Sequence, residues 1–293
     1  MRALTSVALA TSRDLRDLWA GDRLFLEELR RRDVHAEPVI WDDDSAEWSA
    51  WDCVVIRSCW DYHLKVDRFR AWIDRLEGMR VPLINPPDVL RWNIHKGYLL
   101  EVARAGARIP PTRIVAQGDR RPLGVIVRDT GWTASVIKPA ISASGQSTRL
   151  IDRDPTTDDE RAYAEMVAAG DVLLQAYVPE VRAHGEWSFV FFEGRYSHAV
   201  LKVAAPGEFR VHIEWGGTVE DVPPPPALVR QARALVDALD LGACYARVDG
   251  TEVDGELTVM EVELVEPELF FNHDPDATAR LADAVMRVVR SAP

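Results

Sequence analysis

The chain has few cysteines, no excess of basic residues and no apolar run long enough to cross a membrane. Its three cysteines, Cys53, Cys59 and Cys244, are an odd number without the spacing of a zinc site or a disulfide framework, so we expect reduced thiols. The formal net charge of -12 argues against nucleic acid and anionic membranes as partners, because both attract basic surfaces. Any anionic ligand must therefore be held by a local group of cations.

The N-terminal apolar run is also short. The stretch MRALTSVALATSRD contains charges and has no clear cleavage site, so it predicts neither a membrane span nor a signal peptide. No G-x-x-x-x-G-K-[ST] motif and no internal repeat occur in the chain. We expect a cytoplasmic globular protein.

What the chain does have is enough apolar material for two or three subdomains, with 293 residues of which 47% are hydrophobic. Apolar runs at 6–10, 37–41, 53–57 and 81–84 are separated by helical patterns at 22–32 and 66–76. Strands that alternate with helices predict a parallel α/β sheet. A helix over 92–105 follows, and a proline pair at 110–111 precedes the next strand.

The rest of the chain predicts further strands with fewer helices between them. Strands are expected at 112–115, 135–139, 148–151, 172–176, 186–192 and 195–203, and helices at 158–169 and 228–239. Four prolines at 223–226 end where the second of these helices begins, because proline fits a first helical turn. We expect three domains, over 1–92, 93–178 and 179–293.

A hairpin at 247–263 carries an arginine and three carboxylates. Because side chains alternate along a strand, Arg247 and Asp249 share one face, and Glu261 and Glu263 share one face. A two-residue loop would pair Asp249 with Met260 and separate the faces, whereas a three-residue loop would set Asp249 opposite Glu261. Both registers fit the sequence.

Like charges that face each other destabilise a sheet, so the second register needs a compensating ligand. A divalent cation such as Mg²⁺, shared with phosphates, would supply the compensation. The alternative is an acidic edge hairpin that keeps its carboxylates in water. The placement of Arg247 and Asp249 favours the metal site.

Two groups of cations lie near loops. Lys138 ends an apolar strand before the small-residue loop 140–148, where Ser144 and Gly145 would let backbone N–H groups approach a phosphate. Lys202, Arg210 and the neighbouring His212 flank a turn before two glycines and could converge on one anion. A solvated turn and scattered surface charge are the respective alternatives.

Two further patterns suit small-molecule ligands. The strand end with Gln175, Ala176 and Val178 could meet adenine and Glu186 a ribose. Taken alone, this stretch favours a buried strand with an exposed glutamate, and its position between Lys138 and the acidic hairpin is what supports the nucleoside. The substrate-side prediction covers residues at the carboxyl end of the strand 53–57, where α/β sheets bind ligands. These residues are Arg57, Ser58, Trp60, Asp61 and Tyr62.

Arg57 could fork a substrate carboxylate, while Trp60, Asp61 and Tyr62 could cover an amine-bearing molecule. The alternative is that Trp60 and Tyr62 only pack against their domain. Residues 41–43 and 266–271 could line the same cleft.

In this order, six motifs resemble those of the ATP-grasp superfamily, including glutathione synthetase, D-alanine-D-alanine ligase and the ribosomal-protein glutamate ligase. They are N-I-H-K at 93–96, V-I-K-P at 136–139, L-Q-A-Y-V at 174–178, the stretch 202–217, R-V-D at 247–249 and M-E-V-E at 260–263. The similarity covers about residues 85–271. It implies a mixed α/β fold with a Rossmann-like N-terminal domain followed by two ATP-grasp subdomains.

The resemblance implies roles for the matched positions. Lys96 and Lys138 would hold ATP phosphates, Gln175 and the backbone of Ala176 and Val178 would meet adenine, and Glu186 would bind ribose. Lys202, Arg210 and Arg247 would be the catalytic cations. Asp249, Glu261 and Glu263 would hold two Mg²⁺ ions, or Mn²⁺ in their place.

Two departures from the family pattern stand out. Glu263 replaces the usual asparagine, and the loop after Pro139 has one glycine where glutathione synthetase has several. No residue is identified as a general base.

The stretches 41–43, 51–52, 57–62 and 83–86 are similar to an ATP-grasp branch that includes the cyclo-ligase of D-cycloserine biosynthesis, which acts on O-ureido-D-serine. We therefore expect a ligase that activates a small substrate's carboxylate with ATP for attack by nitrogen. Other amino-acid or peptide ligases, a kinase that releases an acyl phosphate and a noncatalytic ATP-binding sensor are the alternatives. A homodimer is common among similar enzymes.

Overall fold

The computed structural model describes residues 5–291, so residues 1–4 of the N-terminal stretch and residues 292–293 fall outside it. The first sheet has four parallel strands in the order β2-β1-β3-β4. The strands are β1 (Ser6–Thr11), β2 (His35–Ile40), β3 (Cys53–Ile56) and β4 (Leu83–Ile84). Helices α1 (Ala20–Arg31) and α2 (Val66–Gly78) connect them. The predicted parallel α/β sheet is confirmed.

The second sheet is antiparallel and has the order β5-β8-β6-β7. Its strands are β5 (Thr112–Val115), β6 (Ala134–Pro139), β7 (Arg149–Asp152) and β8 (Val172–Ala176). Two helices precede this sheet in the chain, α3 (Pro87–Asn93) and α4 (Leu99–Arg104). Two more connect its strands, α5 (Leu123–Arg128) and α6 (Thr157–Ala169).

The prediction of one helix over 92–105 is wrong, because α3 and α4 are separated by a short 3-10 turn, Lys96–Tyr98. The His95 ring accepts the N–H of Gly97, and Asn93 donates its amide to the carbonyl of Val262. Such side-chain bonds to backbone compete with a continuous helix. The break places Lys96 on a turn that faces the third sheet.

The third sheet is antiparallel and has the order β11-β10-β9-β12-β13. Its strands are β9 (Glu186–Phe192), β10 (Arg195–Val203), β11 (Thr218–Glu220), β12 (Tyr245–Val253) and β13 (Glu256–Glu263). Helices α7 (Glu180–His184), α8 (Pro226–Leu239) and α9 (Ala277–Ser291) complete the chain. As predicted, α8 begins at the end of the proline run.

The first and third sheets share a core. Val7 and Leu9 of β1 pack in one apolar cluster with Val190 of β9, and with Leu281 of α9, which lies against α1. The chain therefore returns to its first sheet after completing the third. The three sheets lie within 1–92, 93–178 and 179–293, and the domain boundaries stay a prediction. In the range 5–291 no helix is both long and apolar enough to span a membrane.

Candidate active site

The β12–β13 hairpin combines features of both predicted registers. Its loop is the two-residue Asp254-Gly255, with φ of 56° and 81°, as a type I′ turn requires. The pairing then shifts between Gly250 and Asp249, so that Asp249 faces Glu261 and Arg247 faces Glu263. An extra residue on β13, Met260, forms this bulge. The sequence analysis therefore wrongly made the pairing of Asp249 with Glu261 depend on a three-residue loop.

Gly250 allows the bulge. A Cβ at this position would lie 2.7 Å from the carbonyl oxygen of Thr258, closer than real Cβ atoms approach. A glycine is therefore needed where the two backbones come together. The bulge restores the register that brings the carboxylates onto one face.

Asp249 is the most heavily bonded of the three carboxylates. Its Oδ1 accepts from Ser188 Oγ at 2.7 Å and Arg247 Nε at 2.9 Å, and its Oδ2 accepts from an Arg247 terminal nitrogen at 2.9 Å and from Lys202 Nζ at 3.0 Å. Burial opposes ionisation, but Arg247 and Lys202 hold the pKa of Asp249 below its usual range. Asp249 therefore stays charged and fixes both cations.

The two glutamates have different environments. Burial opposes the ionisation of Glu261. Lys96, which donates a hydrogen bond to Glu261, and the nearby Lys138 nevertheless lower the pKa of Glu261 to about 2. Burial raises the pKa of Glu263 to about 7, with repulsion from Glu261 added, although Arg247 also donates to it. Burial also lowers the pKa of Lys138.

A cavity of about 310 Å³ collects most of the predicted site. Predicted phosphate-side and catalytic residues that line it are Lys96, Lys138, Ser144, Gly145, Lys202, Arg210 and Arg247. The predicted metal ligands Glu261 and Glu263 and the predicted substrate residues Trp60 and Tyr62 line it as well. One cavity therefore joins cations, carboxylates and aromatic walls from several parts of the chain.

Other predicted residues lie away from this cavity. Glu186 is buried behind Lys202, at 2.6 Å from its Nζ. Gln175 donates its side-chain amide to Thr112, and neither it nor Ala176 or Val178 is in the lining. The adenine prediction therefore rests on the motif alone.

The substrate-side prediction for Arg57 is wrong as a direct contact. Arg57 is completely buried, donates Nε to Asp22 Oδ1 at 2.8 Å and a terminal nitrogen to the carbonyl of Pro267 at 2.7 Å. Ser58 donates to the other oxygen of Asp22, and Asp61 accepts from Trp41 and Lys65. These partners occupy the groups that were expected to meet a substrate, and none of the three lines the cavity.

Glu266, Glu268 and Phe270 line the cavity, as expected for the stretch 266–271. The sequence reasoning missed Trp19, which also lines it. Trp19 lies just before α1, in the connection after β1. The rule that ligands bind at the carboxyl ends of parallel strands applies to β1 as well as to β3, and it could have identified this residue.

The donor set determines which metal these residues could hold. Over residues 5–291, no three His, Cys, Asp or Glu side chains lie close enough together to enclose a metal ion. Mg²⁺, however, commonly takes one or two protein carboxylates and completes its shell with phosphate oxygens and water. Glu261 and Glu263 are such hard oxygen donors on the cavity wall, so the residues fit an ion shared with phosphates.

Comparisons with known proteins agree on one family. A family model described as the N-terminal domain of D-cycloserine synthetase DcsG matches residues 7–85. The cycloserine biosynthesis protein DcsG of Streptomyces lavendulae is 31% identical over 272 residues, which cover 89% of this chain and 91% of that protein.

Solved structures give the same result. The crystal structure of D-cycloserine synthetase DcsG superposes with a TM-score of 0.86 at 28% identity, over 97% of this chain and 99% of that one. An ATP-grasp RimK domain protein from Sphaerobacter thermophilus has a TM-score of 0.69 at 18% identity, over 96% of this chain and 100% of that one, and so shares the fold.

Proposed function

The chain belongs to the DcsG family of ATP-grasp ligases, and on that premise we propose that it forms D-cycloserine from O-ureido-D-serine. Its general activity is that of an ATP-dependent ligase that makes a C–N bond. The observation that carries the proposal is the single cavity in which Lys96, Lys138 and Arg247 meet Glu261 and Glu263 beside aromatic walls.

Lys138 is the cation most available to a phosphate. Unlike those of Lys96 and Lys202, its side-chain ammonium has no hydrogen bond or ion pair with any residue from 5 to 291. The ammonium is partly buried, and a phosphate oxygen would compensate for its desolvation. We assign Lys138, with Lys96 and the loop residues Ser144 and Gly145, to ATP.

Glu261 and Glu263 would hold Mg²⁺, which supplies charge neutralisation for the phosphates when bound. Asp249, predicted as the third ligand, already accepts four hydrogen bonds. Its contribution is to keep Lys202 and Arg247 in place beside the ion. Before ligands arrive, Lys96 keeps Glu261 charged, and Arg247 donates a hydrogen bond to Glu263.

The proposed reaction has three steps. A carboxylate oxygen of the substrate attacks the γ-phosphorus and ADP leaves; then the ureido nitrogen bonded to oxygen attacks the acyl carbon, loses its proton and expels phosphate. Water finally hydrolyses the carbamoyl group from that nitrogen, which releases carbon dioxide and ammonia and leaves D-cycloserine. Lys202 and Arg210 would stabilise the transferring charge, and Arg247 the oxyanion at the acyl carbon. The protein's contribution is thus mainly positioning and electrostatic stabilisation.

The test is ADP release in the presence of Mg²⁺ with O-ureido-D-serine and with a panel of amino acids and dipeptides. We expect ADP and D-cycloserine to form together with O-ureido-D-serine. Turnover only with other amino acids would leave a ligase of different specificity. Nucleotide binding without any turnover would indicate a sensor, and an acyl phosphate trapped by hydroxylamine as the final product would indicate a kinase.

A further inference from the structure

The segment 264–269, which follows β13, is held in an unusual way. Its six consecutive carbonyl oxygens are each bonded to a side chain from elsewhere in the molecule. In order from Leu264 to Leu269, these partners are Asn85 at 2.6 Å, Tyr245 at 2.9 Å, Trp60 at 3.1 Å, Arg57 at 2.7 Å, Arg247 at 2.9 Å and His198 at 2.9 Å. Side chains therefore satisfy carbonyls that a sheet would otherwise satisfy.

Four of these donors come from two different sheets. Arg57 and Trp60 follow β3, and Tyr245 and Arg247 belong to β12. Arg57 and Tyr245 are completely buried, so the bonds are shielded from water. Buried polar groups of this number fix an irregular backbone in one conformation. The side chains of Glu266 and Glu268 are thereby presented to the cavity from a rigid support.

Within the described residues, no lysine, arginine or histidine forms an ion pair with the carboxylates of this segment. Among residues 5–291, the Glu266 side chain has no hydrogen bond or ion pair, and Glu268 accepts only from the indole nitrogen of Trp19, at 3.0 Å. By contrast, Glu261 is paired with Lys96. A partly buried carboxylate without a cation is unfavourable unless a ligand supplies one.

Aromatic rings adjoin the two carboxylates. The rings of Trp19 and Trp60 lie 5.2 Å apart at 53°, and both residues line the cavity together with Phe270. The Trp60 nitrogen is occupied by the carbonyl of Glu266. Indole rings attract cations through their π faces, and carboxylates add charge, so the combination suits a compact organic cation.

We propose that Glu266 and Glu268, beside Trp19 and Trp60, bind the ammonium group of the organic substrate. This rests on the proposed function, because it takes the organic substrate to occupy the same cavity as the ATP phosphates. Holding the ammonium at the acidic segment leaves the substrate's carboxylate for the cations. The substrate class is then an α-amino acid, and Arg57 acts as a positioning residue behind the segment.

The test compares O-ureido-D-serine with its deamino analogue, 3-(ureidooxy)propanoate, in the wild type, Glu266→Gln, Glu268→Gln and the control Glu165→Gln. Glu165 is an exposed residue of α6, away from the cavity. Loss of one charge-assisted contact predicts a KM for O-ureido-D-serine raised about 10- to 100-fold in both cavity variants. The KM for ATP and every parameter of the control should be unchanged.

The analogue makes the result specific to the ammonium group. The wild type should bind it about 10- to 100-fold more weakly than O-ureido-D-serine, and the two cavity variants should show no further loss with it. Equal affinity of the wild type for both compounds would overturn the inference and leave the ligase proposal standing. For a variant that folds but has no measurable activity, substrate affinity is measured by calorimetry instead of KM. If the wild type neither binds nor converts O-ureido-D-serine, both proposals are overturned.

Discussion

Two acidic regions face the same cavity, and they are built differently. The carboxylates of the β12–β13 hairpin lie on regular strands and are paired with Lys96, Lys202 and Arg247. Those of the segment 264–269 lie on irregular backbone and lack a cationic partner within the described chain. Carboxylates already neutralised by lysine and arginine suit a site where metal and phosphate arrive together. Unpaired carboxylates suit a ligand that brings its own positive charge.

The comparison also separates two ways of fixing a functional side chain. The hairpin takes its geometry from strand pairing and needs one bulge to align the faces. The segment takes its geometry from six side chains that come from distant parts of the sequence. Substitutions that act on both regions, on the hairpin alone or on the segment alone should therefore have different kinetic signatures.

Arg247 belongs to both regions, so its loss should have the largest effect. It donates to Asp249 and Glu263 of the hairpin and to the carbonyl of Glu268. We expect Arg247→Met to lower kcat by about 100- to 1,000-fold, the effect of removing a catalytic donor. The buried Asp249 would also lose part of its charge compensation, which destabilises the fold by roughly 3 to 5 kcal/mol.

The measurements are steady-state ADP release and urea unfolding of the Arg247→Met protein. Arg108→Met is the control: it removes exposed ion pairs to Asp254 and Glu256 and a hydrogen bond to the carbonyl of Val253 on the same hairpin, and it should leave ADP release unchanged. A kcat within tenfold of the wild type would refute the assignment of Arg247 to the reaction.

Glu261→Gln acts on the hairpin alone. The substitution removes a donor for Mg²⁺ and the charge that pairs with Lys96. We expect kcat/KM for Mg-ATP to fall by about 100-fold and the Mg²⁺ concentration needed for half-maximal rate to rise. Glu256→Gln, at an exposed position of the same strand, should behave as the wild type. An unchanged Mg²⁺ requirement would separate Glu261 from metal binding.

The sequence predicts much of the hairpin's structure and little of the structure of the segment 264–269. Alternation along two strands is enough to group Arg247 with Asp249 and Glu261 with Glu263, and the Asp254-Gly255 turn is a local signal. The bulge at Met260 is not local in this sense, because it depends on how Gly250 packs against the partner strand. A pattern of side chains therefore predicted which residues face one another, although the three-residue loop expected for that register is not present.

Long-range pairing explains the substrate-side error. Arg57 follows a strand at the expected edge of the sheet, but its partner Asp22 lies 35 positions earlier and Pro267 lies 210 positions later. Single-sequence patterns describe neighbours along a helix or strand, and they do not show which distant groups will meet in a core. Trp60 and Tyr62 from the same stretch do reach the cavity.

Of the two acidic regions, Arg57→Met touches only the segment 264–269, and it should have the smallest effect on activity. The carbonyl of Pro267 loses its donor, and Glu266 and Glu268 lose part of their fixed support. Because ATP phosphates are assigned to other residues, we expect the KM for the organic substrate to rise about tenfold with the KM for ATP unchanged, as the loss of one hydrogen bond predicts. Asp22 also loses its buried partner, which lowers the free energy of unfolding by roughly 3 to 5 kcal/mol.

Steady-state kinetics at a temperature where the variant is folded measures the two KM values separately. Arg70→Met, which changes an exposed arginine of α2, is the control. Equal increases in both KM values would show that Arg57 supports the whole cavity, and the two acidic regions would then have to be treated as one mechanical unit.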